Sequence, residues 1–160
     1  MKKVFLLFAI ALSTTTFAQS TSKDDIDIIQ SLYGKSKGEL VIQYMALSGT
    51  QATDFTKVYD AYEVERKKLG QEKIQLINQY ANDYSTLTNE KADLLAKGTL
   101  KNNAAYEKLY STYYDKTKKI IGAMSAMKFM QLEIYLQTEI RSSIQNAIPF
   151  VGELDMTKVK

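Results

Sequence analysis

Between Gly49 and Tyr84 the side chains Phe55, Tyr59, Tyr62, Arg66, Leu69, Lys73, Leu76 and Tyr80 recur at alternating spacings of four and three residues. This is an a/d seam with a mean period of 3.5, and it predicts one uninterrupted amphipathic helix over 49–84. At 1.5 Å of rise per residue such a helix is about 54 Å long. The pattern resumes with Tyr106, Leu109, Tyr113, Lys116/Thr117 and Ile120, passes Gly122, and continues through Phe129, Leu132/Glu133, Leu136, Ile140 and Ile144. A second long arm follows, with a kink expected where Gly122 and Ser125 weaken the ladder of backbone bonds. Pro149 pushes Ile148 away from helical dihedrals, so this arm should end near Asn146.

Shorter elements are marked by their starts. Ser22 to Asp25, Ser36 to Glu39 and Ser48 to Gln51 each set a hydroxyl residue three places before an acid or amide, the spacing of a capping box. The first precedes a short helix over 26–34, the second one from Leu40 to about Leu47, and the third opens the long helix. Thr88 offers a further cap, and Ala92, Leu94 and Leu95 form a short helix stopped by Gly98, with a break at Lys101-Asn102-Asn103 before the second arm. No segment alternates with period two. The expected class is therefore all-α: a long antiparallel helical hairpin, its arms joined by about 15 residues, with short N-terminal helices packed against it. The apolar stretch Ile148-Pro149-Phe150-Val151 should fold back on the bundle, leaving 152–160 as a flexible C-terminal tail.

Arg66, Lys73 and Glu133 interrupt these apolar seams, and a lone buried charge is costly, so each should be paired or should snorkel to water. If Tyr84 faces Asn103, Glu133 falls near Asp54, Phe55, Lys57 and Tyr59, and Arg66 near Ile121. Lys57 or the Tyr59 hydroxyl is then the expected partner of Glu133, the alternative being that Glu133 points to solvent.

Composition narrows the chemistry. The chain has 160 residues, no cysteine, histidine or tryptophan and one proline, with 45% hydrophobic and 24% charged residues, a globular balance. Zinc sites of the Cys/His kind, thiol nucleophiles, disulfides and histidine relays are excluded. Lys2 and Lys3, the apolar run Val4–Leu12 and the small, polar residues 13–18 have the layout of a secretory signal peptide, so residues 1–18 should be removed after Ala18. A nine-residue apolar run is too short to remain as a membrane anchor. Residues 19–151 form the expected helical domain, periplasmic and without stable membrane insertion. Loss of Lys2 and Lys3 lowers the formal net charge from +3 to about +1, which leaves no footprint for nucleic acid. Asp24, Asp25 and Asp27 read as acids in a first helical turn, favoured by the macrodipole. Neither a glycine-rich phosphate loop nor a nucleophile elbow is present, and with no histidine or cysteine the chain is not expected to be an enzyme.

Leu47-Ser48-Gly-Thr-Gln51 resembles the L-T-x-x-Q motif of exported Spy/CpxP-type helical hairpins, with serine for threonine. Leu87-Thr88-Asn-Glu-Lys91 resembles it too, and Met124-Ser125-Ala-Met-Lys128 stands where a second, degenerate copy would fall. Phe55-Thr-Lys-Val58-Tyr59-Asp-Ala-Tyr62-Glu63 and Phe129-Met-Gln131-Leu-Glu133 look like segments of small exported helical proteins of Bacteroidetes. The resemblance covers 47–144. It implies a non-enzymatic, ATP-independent holdase without cofactor that binds unfolded or specific envelope proteins, and it admits a homodimer. The alternatives are a partner subunit of an envelope-stress sensor and a structural envelope component. Metal-sensing relatives use histidines, and this chain has none; it also lacks a D-x-D-x-D-G calcium loop.

Eleven tyrosines exceed what one seam can hold. They read either as a core with polar ends or as an exposed aromatic surface. On the second reading Tyr110, Tyr114, Met127 and Met130, beside Lys116, Lys118 and Lys119, form the candidate surface for a client or partner.

Overall fold

The computed structural model describes residues 36–145, and these are all-α: three helices, one 3-10 turn and no strand. Helix α1 is Lys37–Met45, α2 is Gly49–Asp83 and α3 is Asn89–Gln145, with the 3-10 turn over Tyr84–Thr86. The expected signal peptide, the Ser22 box, the helix over 26–34, the stretch 148–151 and the terminus 152–160 lie outside the described residues.

The capping box at Ser36 forms in full. The Glu39 N–H donates to the Ser36 hydroxyl at 3.3 Å, and the Ser36 N–H donates to the Glu39 carboxylate at 2.9 Å. Lys37, Val41 and Met45, four residues apart, make the buried stripe of α1. On α2, 35 residues long, the predicted seam is the inner face: Phe55, Tyr59, Tyr62 and Arg66 are buried, and Leu69, Lys73, Leu76 and Tyr80 are half-buried. The box at Ser48 does not form, although Ser48 is the N-cap. Gly49, the first helical residue, takes a positive φ of 58°, so the serine hydroxyl is not held over the first turn. Thr88 does cap α3, accepting from the Lys91 N–H at 3.3 Å.

The second arm departs from expectation in three respects. No break occurs at 98–103, because α3 is continuous from Asn89. Gly98 is a packing residue: a Cβ there would stand 2.7 Å from Leu76 Cδ2. Asn102 is buried and donates through Nδ2 to the Leu69 carbonyl at 2.9 Å. The connection between arms therefore shrinks to 84–88, and the register shifts. Leu76 meets Gly98, Leu69 meets Asn102, and the Tyr106 hydroxyl donates to the Arg66 carbonyl at 3.5 Å, so Arg66 lies beside Tyr106 rather than Ile121.

Gly122 is the third departure. Its φ of 76° and ψ of 164° are non-helical values in a region all but reserved for glycine. The chain does more than kink there. Arg141 lies 4.8 Å from the centre of the Tyr106 ring, although in one continuous helix these residues would be about 52 Å apart. The arm is thus two limbs, 89–121 antiparallel to α2 and 123–145 returning alongside it, and the two-arm hairpin becomes a three-limbed bundle with α1 docked on it. Phe129 on the returning limb packs edge-on against Phe55, Tyr59 and Tyr62, with ring centroids 5.2, 6.0 and 5.6 Å away. Tyr62 also meets Tyr113 edge-on at 5.2 Å. Such pairs each contribute about 0.5–1.5 kcal/mol beyond area burial. The core gathers at this end of the bundle, while the end bearing the 84–88 turn is only half covered.

Candidate functional site

Where α1, α2 and the returning limb meet, two cations and two carboxylates are sealed in the bundle. Lys37 is 7% exposed and Glu133 0%. The Lys37 ammonium donates to both Glu133 carboxylate oxygens at 2.7 Å and to Glu63 Oε1 at 2.6 Å. The Tyr62 hydroxyl donates to Glu133 Oε2 at 2.8 Å. Arg66, one turn beyond Tyr62 on α2, donates to Glu63 from Nε at 2.7 Å and from Nη2 at 3.1 Å. The charges balance. The ammonium also lies 5.5 and 5.4 Å from the Tyr59 and Tyr62 ring centroids, so aromatic faces complete its shell.

Burial pushes the Glu63 carboxyl upward, but the nearby Lys37 and Arg66 charges and their hydrogen bonds outweigh it and hold the group down at about 2. Burial, reinforced by the Glu133 charge, raises the Tyr62 hydroxyl well above the ordinary tyrosine range, so it stays a protonated donor. This cluster corrects the expected partner of Glu133: the ammonium comes from Lys37 and the hydroxyl from Tyr62, while Lys57 pairs with Asp54 at the surface. The Tyr59 hydroxyl is buried and makes no hydrogen bond. The expectation that Arg66 and Glu133 are paired is met. Lys37 and Glu63 were not among the expected partners, yet Lys37 shares its i, i+4, i+8 stripe with Val41 and Met45, the same sign of a charge on an apolar face.

The cluster interlocks three segments, and both of its carboxylates face donors from the protein itself. Breaking one buried partner typically costs about 3–5 kcal/mol, whereas the intact set adds far less net stability. Its consequence is positional, fixing the short α1 in one place on the bundle.

The other candidates separate by burial. Tyr110 and Met130 are core residues, which corrects their assignment to an accessible surface: after the reversal at Gly122 the returning limb carries Met130 into the core and brings Glu133 and Arg141 close to Tyr110. Tyr114 is half-buried against the core. Lys116 lies 4.1 Å from the Tyr113 ring centroid and Lys118 5.7 Å from that of Tyr114, so the lysines lie over these rings. Met127 is exposed, as are Lys116, Lys118 and Lys119. Of the motif residues, Leu47 is half-buried against the core, Ser48, Gln51 and Gln131 are exposed, and Phe55, Tyr59, Tyr62, Arg66 and Glu133 are interior.

Around the Gly122 reversal the structure therefore leaves Met124, 83% exposed, and Met127, 54% exposed. Lys116, Lys118 and Lys119 precede the turn. Lys128 follows it, lying 4.4 Å from the Tyr44 ring centroid and donating to the Tyr44 carbonyl. At the opposite end an apolar groove of about 450 Å³ opens between α2 and the first limb of α3, lined by Leu76, Ile77, Tyr80, Leu87 and Leu95, with Gln145 at its edge. Among the described residues no helix is long and apolar enough to cross a membrane. Comparison with known protein families, curated proteins and solved structures gave no match to this chain.

Proposed function

We propose that the protein is a non-enzymatic, exported, chaperone-like binder of unfolded or partly folded envelope proteins, of the Spy/CpxP kind. The observation that carries this reading is the Met124/Met127 pair, unburied and set among lysines at the reversal. Methionine is flexible and polarisable and adapts to irregular apolar partners. Flanking lysines attract acidic stretches and speed encounter. The resemblance of 47–144 to exported helical hairpins and the signal-like residues 1–18 support the same reading and the periplasmic address. Nucleotide hydrolysis has no part in it.

The purified protein at stoichiometric ratio should suppress light scattering by an unrelated, chemically unfolded substrate without ATP. Met124→Ser with Met127→Ser should weaken that suppression several-fold while leaving the melting temperature nearly unchanged, since both side chains are exposed. A well-folded protein that leaves scattering unaltered at several-fold excess overturns the reading.

A further inference from the structure

The groove at the far end of the bundle lies directly ahead of the returning limb. That limb runs alongside α2, bringing Gln145 to the groove's edge beside Lys73 and Ile77. Both other walls continue past it, α2 to Asp83 and α3 back to Asn89. The apolar faces of α2 and α3 thus run on beyond Gln145, the last described residue of the returning limb. Leu76, Ile77, Tyr80 and Leu87 are left half-buried, with no further described element above them.

We propose that this chain's own segment Ile148-Pro149-Phe150-Val151 seats in that groove and caps the far end. The sequence that leaves Gln145 is Asn146-Ala147-Ile148-Pro149-Phe150-Val151, three large apolar side chains within four positions, followed by Gly152. Pro149 cannot continue a helix and biases Ile148 to extended backbone, which lengthens the reach per residue. Six residues at about 3.3 Å each span up to about 20 Å. From Lys73 to Tyr80 along α2 is only about 10 Å. The groove, about 450 Å³, is large enough for an isoleucine, a phenylalanine and a valine together. Covalent continuity decides the choice of occupant: the segment starts at the groove's edge, so its effective concentration there exceeds that of any free partner or second copy. With the far end closed by its own chain, the methionine-bearing reversal remains the apolar surface open to others.

The chain has no cysteine, so introduced pairs report cleanly. In the full chain, Ala92→Cys with Val151→Cys should be joined by a short bismaleimide within one molecule. Val64→Cys with Val151→Cys, whose first member is exposed outside the groove, should not be. Phe150→Asp should abolish the first cross-link and raise binding of an environment-sensitive apolar dye several-fold. Equal cross-linking of both pairs overturns the proposal, as does cross-linking found only between molecules, which would make a second copy the occupant. Aggregation assays are a separate readout: cross-linking can succeed while scattering is unaffected, in which case the capping stands and the chaperone reading falls.

Discussion

Glu133 lies where an apolar seam should have had an apolar residue, and its energetics follow from its three hydrogen bonds. Glu133→Gln leaves Lys37 with Glu63 as its remaining carboxylate and should destabilise the protein by about 3–5 kcal/mol, read by urea denaturation. Lys37→Met combined with Glu133→Gln should cost clearly less than the sum of the two single changes, because the double variant buries no unmatched charge. Strict additivity would show that the interlock is not ionic. Glu63 gives the pH dependence. Its carboxyl is depressed in the folded state to about 2, so its contribution is fully present above the unfolded carboxylate value of about 4.3 and is lost as pH falls toward 2. Up to about 3 kcal/mol should disappear over that window. Melting temperatures measured from pH 7 to pH 2.5 should be flat down to about pH 5 and then fall. In Glu63→Gln the acid slope should be shallower, and an unchanged slope would assign the loss to other carboxylates.

At the scale of the elements, periodicity located the helices well and their reversals poorly. The seam Phe55–Tyr59–Tyr62–Arg66 was legible because a period of 3.5 depends only on which residues face inward. The Ser36 box and the Thr88 cap were legible because capping is local. Gly98 and Gly122 look alike in a sequence, and their roles differ: the helix stop expected at Gly98 is a packing contact inside a continuous helix, while the kink expected at Gly122 is present and sharp enough to reverse the chain. What separates them is long-range. Gly98 faces Leu76 on another helix, and Gly122 can reverse the chain only because Phe129 and Glu133 have a place to land against α2 and α1. Once the reversal is missed, the register of Glu133 is wrong as well, and Lys37 is never considered. The two glycines should respond oppositely to alanine. Gly98→Ala gains about 1 kcal/mol of helix propensity, which the small movement of the flexible Leu76 side chain offsets, so its net effect should lie within about 1 kcal/mol. Gly122→Ala forces a Cβ into a glycine-only backbone region and should cost about 1–3 kcal/mol. Denaturation midpoints decide between these outcomes, and equal costs would show that Gly122 is not under conformational constraint.

Across the whole molecule, stability should be graded along the bundle axis. Near the reversal, α1, α2 and both limbs of α3 enclose one contiguous core that includes Val41, Phe55, Tyr62, Tyr113, Phe129 and Leu136. Toward the 84–88 turn Leu95 and Asn102 are the buried residues of α3 over 89–102, and residues 69–83 of α2 are at most half-buried. Regions with few buried apolar contacts open locally at lower free energy than the global transition. Native-state hydrogen exchange should therefore show amides of 72–83 and 89–100 exchanging through sub-global openings, while those of 55–66, 109–118 and 127–136, on either side of the reversal, exchange only on global unfolding. The interlock belongs to the second group, since Lys37, Glu63 and Glu133 cannot separate without α1 leaving the bundle. If residues 148–151 cap the far end, Phe150→Asp should lower protection over 74–99 and leave 55–66 at the wild-type level. A uniform loss over both regions would instead show that the bundle unfolds as one cooperative unit, and no change in either would show that residues 148–151 contribute nothing to the far end.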